Sequence, residues 1–367
     1  MNIKINRSIL LPALNLVSSV VEKRQTLPIL ANLYFNHDDG KIHLVGTDLE
    51  VEISEKITGA EGENTSFTLS SRKILDIVRM LPEDADISFK RDGDNVVVSS
   101  GRSRYTLKTL EADDFPRIEA DNWEERFKIN QLVLKSLLDK TSFAMAVQDV
   151  RYYLNGVLFE LEKDTLRAIA TDGHRLAQTD VDITLDIKES RQLIVPRKAV
   201  SEINRFLDGD NEVELTIEIS KNHLKLTKGE TILITKLIDG KFPEFKGVLE
   251  TDLNIKIISN RTQFIETMNR AAVLTTDRFK GVKIALEPGV MRITASNPEQ
   301  EEAVEELEVD YSGDPIETGY NISYLIEAAR VVNNENIELN LQGNDGICII
   351  KQPEDSRSTW LVMPMRI

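Results

Sequence analysis

Two apolar spacings take turns along this chain. Leu10, Leu14, Val17 and Val21 fall four, three and four apart after Asn6, which predicts an amphipathic helix capped by that asparagine. Pro12 is expected near the first turn of this helix, where a missing N–H costs least. The helical spacing returns in Leu134, Leu137, Leu138, Thr141 and Met145 after Asn130, and in Phe264, Met268 and Ala272 after Asn260. Strand-like alternation follows each of these segments. It is punctuated by the turn dipeptides Asp39-Gly40, Asp92-Gly93, Asp239-Gly240 and Asp345-Gly346. Second helices are predicted near 71–81, 197–207 and 321–332, with further strands after each. Helix, strands, helix, strands is the order of an α+β domain with antiparallel sheets.

That order is copied three times. A strand-like run ends in Thr47-Asp48, again in Thr171-Asp172, and again in Ser296-Asn297. From 47 to 171 is 124 residues, and from 171 to 296 is 125. Ala31, Asn155 and Lys280 each stand sixteen residues before these positions and open an apolar stretch. Arg72-Lys73 matches Arg197-Lys198, and Phe115-Pro116 matches Phe242-Pro243, while the third copy lacks the basic pair. A period this long means copied domains, not a short-repeat solenoid. The expected domains are 1–120, 127–247 and 252–367, joined by short charged linkers near 117–127 and 246–254. A chain of three like domains can form an arc, and arcs can close into rings.

Composition narrows the class. The formal charge of −16 over 367 residues argues against a simple basic nucleic-acid binder, although it leaves room for a local basic surface. The single cysteine, Cys348, cannot form an internal disulfide, which suits a reducing compartment. The opening segment has no long apolar core with a small-residue cleavage site, and no window approaches a membrane span. A cytoplasmic protein with no membrane partner is expected.

Four segments carry candidate chemistry, each with a plainer alternative. In "TDGHR", Asp172 and His174 could orient an acid–base pair, or the segment could be a strand-end turn. The equivalent positions in the other copies carry no histidine. In "QDVRYYLNG", Tyr152 and Tyr153 beside Arg151 and Gln148 could contact phosphates or bases, or one ring could pack inward. Arg102 and Arg104, read as two residues of one strand, would point to one face, while seven acids lie between Glu299 and Asp310. Basic and acidic strand edges at opposite ends favour head-to-tail association, unless the acids are only a solvated face. The ending "TWLVMPMRI" is apolar and methionine-bearing, suited to adaptable peptide contact or to a last core strand. No nucleophile elbow, Walker loop or dinucleotide fingerprint is present, and His37, His43, His174 and His223 show no metal-ligand spacing.

Nine phrases then occur in one order: "TLPILANL", "GTDLE", "GRSRY", "QDVRYYLNG", "ATDGHRLA", "VPRK", "KFPEF", "NPEQEEA" and "VMPMRI". Together they resemble the bacterial sliding-clamp family, the β subunits of DNA polymerase III. The resemblance implies a non-catalytic processivity factor without metal or cofactor. It implies a head-to-tail homodimer whose six domains surround duplex or primed DNA. Its implied partners are the polymerase catalytic subunit, an ATP-driven clamp loader and other replication and repair proteins. Topology, not strong phosphate contact, would hold such a ring on DNA, so an acidic chain can serve.

The same resemblance implies residues for each role. Arg24, Arg72, Gln148, Tyr152 and Tyr153 would face DNA, helped by Lys73, Arg197 and Lys198. Leu154, Thr171, Gly173, His174, Arg175, Leu176, Pro243, Val248, Val362, Met363, Pro364, Met365 and Arg366 would line a peptide groove for apolar-acidic motifs. The dimer seam would pair Arg102, Arg104 and Lys73 with Glu299, Glu302 and Glu305, and Tyr105 and Leu107 with Val273 and Leu274. Gly247 stands where a basic residue is expected at the groove edge, with Lys246 beside it, and Val147 stands where a polar residue is expected. A hydrolase using Asp172 and His174, and a scaffold ring that does not touch nucleic acid, are the rival readings.

Overall fold

Asn6, Asn130 and Asn260 each cap a helix, as the spacing predicts. Their side-chain oxygens accept from the backbone N–H groups of Ser8, Leu132 and Gln263. This computed structural model describes residues 2–366 except 23–25, 121, 186, 188, 208, 210–211, 252, 277–278, 345 and 356. The capped helices are Arg7–Val17, Gln131–Thr141 and Arg261–Ala272. The second helices are Ser71–Met80, Arg197–Phe206 and Ile322–Arg330.

Pro12 departs from expectation. It is the sixth residue of its helix, not a first-turn residue. Its ring removes the bond that would run to the Ser8 carbonyl, an interior defect costing about 3 kcal/mol in an isolated helix. Ser8 and Pro12 are both exposed, so water can reach the freed carbonyl, while Leu10, Ala13, Leu14 and Val17 bury the opposite face.

Two of the four predicted turn dipeptides close hairpins. Asp39 and Gly40 have φ of 47° and 74°, the left-handed pair of a two-residue hairpin, and Gly93 has φ 58° after Asp92. Asp239-Gly240 instead lies in an irregular segment after the strand Thr231–Lys236, because no strand follows to complete a hairpin. Asp345 lies outside the described residues.

The chain forms two compact units, Met1–Leu132 with Lys198–Leu237, and Val133–Arg197 with Ile238–Ile367. Their boundary runs through the middle repeat. In the first unit an eight-stranded antiparallel sheet runs Glu125–Asn130, Glu214–Ile219, His223–Lys228, Thr231–Lys236, Val51–Thr58, Lys41–Thr47, Asn32–Asp38, Thr65–Ser70. Four strands come from the middle repeat and four from the first. A second sheet of this unit ends at the edge strand Ser103–Lys108.

The second unit repeats the scheme. Its eight-stranded sheet runs Arg191–Pro196, Gly156–Glu162, Thr165–Thr171, Arg175–Asp182, Thr359–Val362, Cys348–Lys351, Asn336–Leu341, Ile255–Asn260. Its four-stranded sheet ends at the edge strand Glu302–Glu308. In both eight-stranded sheets the seam between repeats is an antiparallel strand pair, Thr231–Lys236 with Val51–Thr58 and Arg175–Asp182 with Thr359–Val362. Each seam buries apolar side chains, including Leu233 and Ile53 in one and Leu176, Ala177, Trp360 and Leu361 in the other.

Candidate functional site

In the second unit the segment 171–176 is a turn built by its own side chains. Thr171 Oγ1 donates to the Arg175 carbonyl and accepts from Gly173 N–H. Asp172 accepts from the backbone N–H groups of His174 and Arg175 and from Arg175 Nε. With its carboxylate committed to the turn, Asp172 orients backbone and not the His174 ring. Thr47 and Asp48 make the same bonds to backbone in the first unit, at Val51, Leu49 and Glu50, without any histidine.

Arg175 is wired inward. Its side chain is 11% exposed, pairs with Asp172 and Glu327, donates to the Phe143 carbonyl at 2.6 Å, and lies 4.3 Å from the Tyr324 ring centroid. It therefore braces the turn 171–176 against the helix Ile322–Arg330. Tyr324 and Glu327, on the helix Ile322–Arg330, hold it there. Nothing local in the sequence links Glu327 to Arg175, 152 residues away. Burial, and after it the Asp172 carboxylate, raise the Tyr324 hydroxyl above its ordinary value.

The chain's last strand completes the wall. Leu176 pairs with Leu361 and Arg175 with Val362, and Met363 N–H donates to the His174 carbonyl at 2.9 Å. Met365 N–H donates to the Gly319 carbonyl, which fixes the tail past Pro364. Leu154, Leu176 and Leu361 pack in one apolar cluster with Phe242, Phe245 and Ile347. Gly173, His174, Pro243, Met363, Met365 and Arg366 are exposed, as is Val248 on the short helix Lys246–Leu249. Val362 is 1% exposed, so it packs inward and is not a surface contact, contrary to expectation. Lys246 and Gly247 are also exposed, and a Cβ at Gly247 would meet nothing within 4 Å. The result is an apolar floor with an exposed His–Met–Arg rim, a form suited to an apolar peptide.

A loop beside this wall carries the tyrosines. Gln148 is exposed with φ 54°, and Val147, Val150 and Tyr152 are exposed apolar neighbours. Tyr153 packs on the groove cluster. Gly240 packs beside both residues: an added Cβ would lie 3.4 Å from Tyr152 Cε2 and from Tyr153 Cβ, an ordinary contact. Arg151 ties loop to turn. It grips Asp149 with Nε and Nη2 and donates from Nη2 to the Asp172 carbonyl at 3.2 Å. Those side-chain bonds, with the Arg151 backbone N–H, hold the Asp149 carboxyl down to about 2. Gly173 has φ 90° and sits so close that a Cβ would lie 3.1 Å from Arg151 Nη1. Arg197 is exposed and donates to the Met145 and Ala146 carbonyls, bracing the same loop.

In the first unit, Arg72 and Lys73 are exposed on the first turn of Ser71–Met80, with Arg72 only 3.8 Å-paired to Asp76. Lys198 is half-buried and pairs with Glu22 and Asp48. Burial lowers its ammonium pKa, but the two carboxylates outweigh burial and raise it. Arg24 lies outside the described residues.

The seam residues occupy the two edge strands. Arg104, Tyr105 and Leu107 lie on Ser103–Lys108, with Arg104 exposed and the other two half-buried. Arg102 sits in the turn before that strand, so strand alternation does not set its direction, contrary to expectation. Glu302 and Glu305 lie on Glu302–Glu308, and Glu299 is exposed just before it. Glu305 already pairs with Arg270 at 2.8 Å. Val273, 77% exposed, and the half-buried Leu274 follow the helix Arg261–Ala272. No metal-holding group of His, Cys, Asp or Glu occurs among the described residues.

Comparison with known proteins gives these features a family. Models of the DNA polymerase III beta subunit match as N-terminal domain over 1–119, central domain over 128–244 and C-terminal domain over 246–366. The beta sliding clamp of Pseudomonas aeruginosa is 40% identical over 100% of both chains, and that of Escherichia coli strain K12 is 39% identical over 100% of both. A crystal structure of the DNA polymerase sliding clamp from Pseudomonas aeruginosa has a TM-score of 0.96 at 40% identity, covering 100% of each chain. The Bartonella birtlesii sliding clamp bound to griselimycin has a TM-score of 0.96 at 32% identity, also covering 100% of each.

Proposed function

Because this chain belongs to the DNA polymerase III beta subunit family, the beta sliding clamps, we propose that two copies close head to tail around duplex DNA through their free strand edges. The chain is a sliding clamp, a non-catalytic processivity subunit in DNA replication, built of three tandem clamp domains.

The observation that carries the ring is the repeated seam. Val51–Thr58 and Arg175–Asp182 are the same strand of successive repeats, and each receives the last strand of the next one. The third repeat offers Glu302–Glu308 at that position, paired only with Val290–Ser296, and the first offers Ser103–Lys108, paired only with Asn95–Ser100, so among the described residues each keeps one side free. Both internal seams share one register: Thr235 lies opposite Val51, and Val362 opposite Arg175. Carried to a second copy, that register sets Tyr105 against Ala303 and Arg104 against Val304. Arg104 then lies on one face with Glu302 and Glu306, and Arg102 comes opposite Glu306. Tyr105 and Leu107 face the helix side, where Val273, Leu274 and Glu305 lie, and Lys73 joins them.

DNA would meet Arg24, Arg72, Lys73, Gln148, Tyr152, Tyr153 and Arg197 through weak, salt-sensitive contacts. Lys198, already paired with two carboxylates, contributes least. The groove of Leu154, Thr171, Gly173, His174, Leu176, Pro243, Val248 and the tail 363–366 would hold apolar-acidic segments of the polymerase catalytic subunit, the clamp loader and other clamp-binding proteins. Domain limits at 1–120, 127–247 and 252–367 and a cytoplasmic location complete the reading. Among the described residues no helix is long and apolar enough to cross a membrane, and Cys348 is free.

The test is retention on DNA after loading, followed by gel filtration in high salt. Retention on circular duplex with loss after linearisation is expected. Equal loss from both would overturn encirclement.

A further inference from the structure

The strand Ile255–Asn260 ends its eight-stranded sheet, pairing with Asn336–Leu341 on one side only. Its free side starts a strand pairing and abandons it. Ile258 bridges Asp310 antiparallel, with Asp310 N–H donating to the Ile258 carbonyl at 3.2 Å. The next residue turns away. Tyr311 gives its carbonyl to Gly289 N–H and its hydroxyl to the Asp314 carbonyl at 2.6 Å. Gly313 permits this closure, since a Cβ there would lie 2.5 Å from Tyr311 Oη. A cleft of about 700 Å³ opens where the strand would have continued, alongside Asn254 and Lys256.

Backbone groups in an antiparallel strand point to alternate sides. The Ile258 carbonyl faces the free side, so the N–H and C=O of Lys256, two residues back on the strand, face the cleft too, and Asn254 lines it just before the strand begins. The first repeat fills the same edge. Lys4 stands two residues before the cap Asn6, as Ile258 stands two before the cap Asn260, and Lys4 pairs with Glu61 while Ile3 pairs with Gly62. An acid thus starts the added strand in both repeats. In the first the strand goes on for a second residue, and in the third it stops.

We propose that the edge at Asn254–Lys256 is a second docking site, distinct from the groove, which takes an extended basic segment of a partner protein as an added antiparallel strand. Main-chain bonds to Lys256 and Asn254 supply the affinity, as in other strand additions. The carboxylates of Asp310 and Asp314 at the cleft select lysine or arginine. The Lys256 ammonium is engaged by Glu338 at 2.6 Å, so it does not oppose a cationic guest.

The probe is a fluorescein-labelled, end-capped nine-residue peptide of alternating lysine and valine, titrated into the full-length protein and read by anisotropy. We expect saturable binding, at least tenfold weaker for the glutamate–valine counterpart. A peptide N-methylated on every second residue of one edge should lose at least tenfold, and binding should slow exchange of the Lys256 amide. Lys256→Pro should cost a similar factor, and Asp310→Asn with Asp314→Asn several-fold. The N-methylated peptide needs no altered protein, so a poorly folded variant does not blunt the test. Equal binding of the N-methylated peptide would mean surface electrostatics alone and would overturn the proposal, as would no binding at millimolar peptide.

Discussion

At the residue scale, burial and pairing decide what each polar side chain can do. Arg175 has the charge of a ligand-binding residue and the surroundings of a structural one. Replacing it with methionine leaves Asp172 and Glu327 without their cation. Loss of a buried partner costs about 3–5 kcal/mol. Glu327 is 41% exposed, so roughly 2–3 kcal/mol is expected here. Urea unfolding with a normal slope and a lower midpoint would bear this out; an unchanged midpoint would refute it. Asp149 gives a pH signature. Its carboxyl is depressed in the folded chain, so its contribution is fully present above the unfolded value near 4 and fades as pH falls through about 2. An Arg151 Nε–H resonance that stays sharp from neutrality to about pH 4 and broadens below is expected. Cys348 is fully buried, and burial pushes its thiol up to about 12. Alkylation should therefore proceed only as fast as the third domain unfolds. Rapid labelling of folded protein would contradict this.

At the scale of elements, the loop 147–153 and the turn 171–175 behave as one piece because Arg151 joins them. Arg151→Ala removes the bond to the Asp172 carbonyl and the two side-chain bonds to Asp149, which keeps only the backbone N–H of residue 151. Groove peptides should bind several-fold more weakly, with no change in the unfolding midpoint beyond about 1 kcal/mol equivalent. An unaltered affinity would show that the turn holds its shape alone. The three asparagine caps were legible in the sequence, because a cap and a helical spacing are both local. So was the repeat, because copied landmarks need no contacts to be seen. Pro12 misled even though the cap at Asn6 already starts the helix at Arg7: its interior position is tolerated because it lies on the exposed face, which the proline rule alone does not record. Arg102 misled because a two-residue turn, invisible to alternation, precedes its strand. The Arg175–Glu327 pair and the division of the middle repeat between two sheets were out of reach. One depends on a strand meeting a helix and the other on strands pairing, each across more than a hundred residues, and no local pattern records those choices.

At the scale of the whole molecule, the proposed ring rests on one rule used twice inside the chain and once more between chains. The third use differs in kind: the inner seams are covalently tethered, whereas the outer one must find its partner. Charge is suited to that task, since it sets partner choice and register more than affinity. Arg102 and Arg104 reversed to glutamate should leave two acidic edges, and that variant should run as a monomer. Glu302 and Glu306 reversed to lysine should leave two basic edges and likewise fail to dimerise. Mixed in equal amounts, the two should dimerise again. A head-to-tail pair has two seams, and in the mixed pair each seam joins one acidic edge to one basic edge. Light scattering on a sizing column separates the outcomes. Dimers from either variant alone would place the association elsewhere on the surface, and monomers in the mixture would mean that the apolar pairs Tyr105–Ala303 and Leu107–Leu274 cannot act without the native charge pattern.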